Sequence, residues 1–143
     1  EMFKKVIKYM DDSDIFIGCA AVSDFKPSKY SDKKIKKDDI SNIDLGLKKN
    51  KDILSFVASN FISAYVVGFA AETDNVDTNA KKKLKAKNLD MIVSNDVSDK
   101  SIGFDVDDNE VNVYTKNNKF FLKKDKKIRI AREVLKIVAS NIN

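Results

Sequence analysis

The run Asp14-Ile15-Phe16-Ile17-Gly18-Cys19-Ala20-Ala21-Val22 decides the fold class. After Asp14 it is apolar without a break, which is the pattern of a strand covered on both faces, as in a parallel sheet. Working outward, Tyr65 to Ala71 and Leu89 to Val93 repeat that pattern. Between them lie segments with helical spacing. Asp52 to Phe61 is one, with a cap expected at Asn50 or Asp52. A second is capped by Thr73 and Asp74 and carries Val76, Ala80, Leu84 and Lys87 on one face. Upstream, Met2, Val6, Ile7 and Met10 mark a short first helix. Strand and helix in alternation predict a three-layer, Rossmann-like α/β domain with a mostly parallel sheet.

The remaining segments are peripheral to that plan. Residues 23–39 lose apolar periodicity and contain the only proline, so they read as an exposed loop. Ile43, Leu45 and Leu47 alternate with polar residues or glycine, predicting a half-exposed strand. Val111 and Val113, a turn at Asn117-Asn118, and Phe120 to Leu122 predict a β-hairpin. Ala131, Val134, Leu135, Val138 and Ile142 predict a terminal helix.

Composition narrows the chemistry. The 143 residues suit one domain, and 43% hydrophobic with 34% charged residues excludes a disordered or low-complexity chain. No apolar run approaches the ~18 residues of a membrane span, so no membrane partner is expected. Cys19 is the only cysteine, which excludes an intrachain disulfide and fits a cytoplasmic setting. There is no histidine, so neither a Ser-His-Asp triad nor a Cys-His pair can form within the chain. Lysines, carboxylates, backbone amides or a hard cation must do the work. The net charge of +5 invites a nucleic-acid reading, but 25 of the 27 basic residues are lysine. A base-reading surface favours arginine, so no nucleic-acid partner is expected.

Glycines stand only at 18, 46, 68 and 103, so neither G-x-G-x-x-G nor a P-loop is present. The chain also opens on a helix where such a sheet ordinarily opens on a strand. An upstream strand and its glycine-rich loop are therefore expected beyond Glu1. The three buried strands lead into Asp24, Glu72-Thr73 and Asn95-Asp96. Ligands bind beyond the carboxyl ends of parallel strands, and that edge is the expected site.

Four runs occur in order: Ile17-Gly18-Cys19-Ala20-Ala21-Val22-Ser23-Asp24-Phe25, Lys34-Ile35-Lys36-Lys37, Val67-Gly68-Phe69-Ala70-Ala71-Glu72-Thr73 and Asn95-Asp96-Val97-Ser98, with Gly103-Phe104 following. Together they resemble the phosphopantothenoylcysteine synthetase family, the ligase half of a coenzyme A biosynthesis flavoprotein. The resemblance implies activation of 4′-phosphopantothenate by CTP with Mg²⁺, and coupling to cysteine with release of CMP and pyrophosphate. It implies a homodimer, for which the half-exposed strand Ile43 to Leu47 or the hairpin around Tyr114 offers an edge, and FMN only in a decarboxylase domain fused upstream.

By the same resemblance, Gly18, Cys19, Ala20 and Asp24 meet the nucleotide, and Lys34 is the catalytic loop lysine that reaches its phosphates. Lys51, Asp52, Ile53, Leu54 and Phe69 line the cytidine pocket, and Lys83 and Lys87 complete it. Ala20, Ala21 and Asp24 face phosphopantothenate, and no metal ligand is implied. Each residue has a plainer alternative: Lys83 and Lys87 as a solvated helix face, Phe69 as core, Cys19 as a packed side chain. The family's Asn-Pro-Asp stands here as Asn50-Lys51-Asp52, without the proline that preorganises a helix start.

Overall fold

The computed structural model describes residues 1–33, 44–99, 101–103 and 105–142. They form two compact units, Glu1–Ala20 with Ile53–Asn143, and Ala21–Asp52.

In the larger unit, α1 (Met2–Met10) leads into β1 (Ile15–Gly18). The smaller unit holds β2 (Phe25–Pro27) and β3 (Leu47–Lys49), an antiparallel ribbon with Phe25 opposite Lys49 and Pro27 opposite Leu47. The larger unit resumes with α2 (Ile53–Asn60), β4 (Tyr65–Glu72), α3 (Val76–Ala86) and β5 (Met91–Asp96). It ends with β6 (Asp108–Thr115), β7 (Lys119–Lys126) and α4 (Lys127–Asn141).

Five strands join in the order β1-β4-β5-β6-β7. β1, β4 and β5 are parallel, with Gly18 beside Gly68 and Glu72 beside Asp96. β6 and β7 add antiparallel to β5, so the expected hairpin completes this sheet. Alternation along the strands divides the core in two. Val66 and Ala70 of β4, Ile92 of β5 and Tyr114 of β6 pack under α1, α2 and α3. Val67, Met91, Val93, Val111 and Val113 pack under α4 through Ile130, Val134 and Val138. Helices on both faces make the three-layer α/β domain that the strand–helix alternation predicts. α1 meets α2 through Phe3 and Phe56, whose rings cross edge to face at 4.8 Å.

Several boundaries differ from the sequence expectation. β1 stops at Gly18, so Cys19 lies beyond the strand and is exposed, and it is not the packed side chain expected. The supposed loop of residues 23–39 contains β2, and β3 begins at Leu47, where the alternating strand was expected to end. Ile43 lies outside the described residues. α4 turns Ile130, Val134 and Val138 inward and leaves Leu135 51% exposed, because the sheet face, and not the widest apolar stripe, sets its rotation. Tyr114 is 1% exposed and sits inside the sheet on β6, so of the hairpin strands β7 is the edge.

Candidate active site at the carboxyl ends of the parallel strands

Gly18 and Gly68 are neighbours across β1 and β4, and the first turn of α2 rests on them. A methyl group at Gly68 would stand 2.7 Å from Leu54 Cδ2 and 2.9 Å from Leu89 Cδ1, and one at Gly18 would stand 3.1 Å from Leu54 Cδ1. The glycine pair thus lets Leu54 close onto the sheet and brings the start of α2 near the end of β1. Gly18, Ile53 and Leu54, all implied by the family resemblance, are gathered on one face of the sheet. Phe69 is on the opposite face, in phase with Val67, and is 42% exposed. It is therefore not the ordinary core residue that its apolar surroundings suggest.

Beyond the strand, Cys19 and Ala20 are exposed. Partial burial pushes the Cys19 thiol up, which disfavours the thiolate and argues against a nucleophile there. At the end of β4, Glu72 accepts hydrogen bonds from Lys83 Nζ at 2.6 Å and Asn79 Nδ2 at 3.2 Å. Lys83 therefore presents its ammonium from α3 at a defined place above the strand end. Lys87 follows one turn later as the C-cap of α3, its backbone N–H donating to the Lys83 carbonyl at 3.0 Å. It lies toward the helix end that leads into β5.

Thr73 and Asp74 do not cap α3. Its N-cap is Asn75, in the left-handed region at φ 47°, with no side-chain capping bond. At the end of β5, the Asp96 carboxylate accepts from the Ser98 hydroxyl at 2.6 Å and the Ser98 N–H at 2.9 Å. These bonds hold its carboxyl below the ordinary range. Asp96 closes its own turn.

Ala21, Asp24, Lys51 and Asp52 belong to the smaller unit. There the Asp24 carbonyl accepts the Asn50 N–H at 2.7 Å, and Asn50 Nδ2 donates to the Ser23 carbonyl at 2.7 Å. Asn50 ties the two ends of that unit together where the family's proline would have stiffened one of them. Lys34, with Ile35 to Lys37, and Phe104 lie outside the described residues. Sequence reasoning pointed to Glu72 only as a polar strand end. Its two partners follow it by 7 and 11 residues, separations that become contacts only when α3 folds back over the sheet.

Among the described residues, no three cysteine, histidine or acidic side chains converge to hold a metal ion. None of their helices is long and apolar enough to cross a membrane. The rim offers backbone groups, a fixed ammonium and a close-packed helix start. Such a set can bind and orient an anionic substrate, and it supplies no evident covalent nucleophile.

A three-layer α/β domain with a mostly parallel sheet and a candidate site at its parallel strand ends is the class of protein defined here. The family model for the DNA/pantothenate metabolism flavoprotein C-terminal domain matches residues 1–142, and the chain belongs to that family. It is 38% identical over 138 residues to the coenzyme A biosynthesis bifunctional protein CoaBC of Vibrio vulnificus strain YJ016, covering 95% of this chain and 34% of the relative. Against the protein of the same name from Bacillus subtilis strain 168 it is 40% identical over 141 residues, covering 98% and 34%. The chain spans about a third of the length of these curated relatives. Among solved structures, the C-terminal domain of a coenzyme A biosynthesis bifunctional protein CoaBC superposes with a TM-score of 0.75 at 32% identity, covering 96% of this chain and 59% of that one.

Proposed function

We propose that this chain is the phosphopantothenate–cysteine ligase domain of a coenzyme A biosynthesis protein. CTP activates the carboxylate of 4′-phosphopantothenate: the carboxylate attacks the α-phosphorus, pyrophosphate leaves, and an acyl-cytidylate forms. The cysteine amine then displaces CMP to form the amide. Neither step needs a protein nucleophile or histidine, which agrees with a chain that has no histidine and a thiol pushed up by its surroundings.

The observation that carries the proposal is a conjunction. The family match runs over residues 1–142, and at the carboxyl end of β4 a lysine is held in place, Lys83 on Glu72. In this reading Gly18, Cys19, Ala20 and Asp24 approach the nucleotide, Lys51 to Leu54 and Phe69 flank cytidine, and Lys83 and Lys87 neutralise phosphate charge. Ala20, Ala21 and Asp24 face phosphopantothenate, and Lys34 acts on the reacting groups. The described side chains do not fit a resident Mg²⁺, so the ion is read as entering on the triphosphate. FMN belongs to a decarboxylase domain if one is fused upstream. The working form is a cytoplasmic homodimer.

A second reading is a domain that keeps the fold and nucleotide affinity without turnover. Titration with CTP and ATP, with and without Mg²⁺, followed by an assay for CMP and pyrophosphate, separates the two. CMP release that requires both phosphopantothenate and cysteine supports the ligase. Selective CTP binding without CMP supports the second reading, and no cytidine preference sinks both.

A further inference from the structure

We propose that Glu72 is a positioning residue for the nucleotide's phosphates, acting through Lys83; this rests on the ligase reading above. Glu72 is the last residue of β4, and its backbone is anchored because its carbonyl accepts the Val97 N–H at 2.8 Å. Its side chain is only 11% exposed, and both carboxylate oxygens are engaged by α3. Asn79 Nδ2, on one oxygen, also donates to the Asp74 carbonyl at 3.1 Å, so the carboxylate is held from two directions. Lys83, one turn after Asn79, bonds the other oxygen.

The Lys83 side chain remains 45% exposed. Its ammonium has three donors and spends one on Glu72, so the others are available to an incoming anion. A half-exposed ion pair contributes little to folding, and the consequence of this one is geometric. A free lysine must be immobilised when it meets phosphate, which is one of the costs of binding. Glu72 immobilises it in advance. The carboxylate also cancels part of the attraction that a bare lysine would exert on CTP. Glu72 therefore contributes to orientation at the reacting phosphorus more than to ground-state affinity.

This divides kcat from KM. In the protein expressed from its complete gene, Glu72→Gln keeps the side-chain shape and removes the charge. It should lower kcat roughly tenfold to a hundredfold, the scale of a displaced orienting group. The Kd for CTP, measured by calorimetry, should stay the same or tighten. Lys83→Met should impair turnover, and Glu72→Gln added to it should have no further effect, because Glu72 acts only through Lys83. A damaging Lys83→Met with a silent Glu72→Gln overturns the positioning role alone. So does a Glu72→Gln that weakens CTP binding at constant kcat, or one whose loss multiplies with that of Lys83→Met. A silent Lys83→Met in an enzyme that still consumes CTP removes both residues from the site and leaves the ligase reading standing. Wild-type protein that never consumes CTP overturns the ligase reading itself.

Discussion

Gly68→Ala tests the packing that carries the site. The added methyl falls 2.7 Å from Leu54 Cδ2 and 2.9 Å from Leu89 Cδ1, well inside an ordinary carbon–carbon contact of ~3.5–4.0 Å. Leu89 is 1% exposed and has little room, so Leu54 at the start of α2 must yield. Overpacking of this kind costs about 1–3 kcal/mol. Removing a strand glycine returns about 0.5–1 kcal/mol by restricting the unfolded chain. The net expectation is a loss of about 1–2 kcal/mol, or roughly 3–8 °C in Tm for a domain of this size. Urea denaturation should show a lower midpoint with an unchanged slope. Truncating Leu54 to Ala in the same background should relieve the clash, so the two losses combine to less than their sum. In the ligase reading, CTP binding also weakens, because Ile53 and Leu54 move with the helix start. An unchanged or raised midpoint, or strict additivity with Leu54→Ala, would refute the close approach as the reason for glycine at this position.

Three further expectations are independent of that contact. Lys34→Gln should lower kcat roughly 10²-fold, about 2.7 kcal/mol, while Lys33→Gln is nearly silent, and equal losses in the two variants would remove Lys34 from catalysis. Asp77, bonded by Lys119 Nζ at 2.7 Å and by the Tyr114 hydroxyl, is held below its ordinary value of 3.8. Because the folded value is the lower one, its contribution is present above about pH 3.8 and fades as pH falls through the folded value. Urea midpoints of wild type and Asp77→Asn should therefore differ at pH 7 and draw together as pH falls below 3.8, and a constant gap would count against the linkage. Ser94 is fully buried, and its hydroxyl makes no hydrogen bond of good geometry among the described residues, although it stands close enough to the Tyr114 hydroxyl to act on it. Ser94→Ala should then be neutral or stabilising by up to about 1 kcal/mol in thermal melts, whereas a marked loss would reveal a bond to that hydroxyl.

The sequence by itself determined the layering. Uninterrupted apolar runs at Tyr65 and Met91 became strands covered on both faces by helices, whereas the run at Ile15, read the same way, forms the edge strand β1 with no buried residue and Ile15 41% exposed. The hairpin and the terminal helix were legible as elements for the same reason, but the rotation of α4, which leaves Leu135 51% exposed, was not. Ordered motifs likewise carried the family, and three of the four, beginning at Ile17, Val67 and Asn95, join a local residue pattern to a strand end.

Only the tertiary structure decided the rest. That β6 and β7 extend the parallel sheet depends on β5 pairing with residues about twenty positions away, which no local pattern records. Cys19 is exposed because β1 ends one residue earlier, although the apolar run continues through Val22. The glycines at 18 and 68 were legible as glycines, but their purpose, admitting Leu54, exists only when α2 lies across both strands. Glu72 read only as a polar strand end, and Lys83 had a solvated helix face as its plainer alternative. They meet at 2.6 Å because α3 folds back over the sheet, and a contact between residues 11 positions apart is fixed by packing, which local periodicity does not encode.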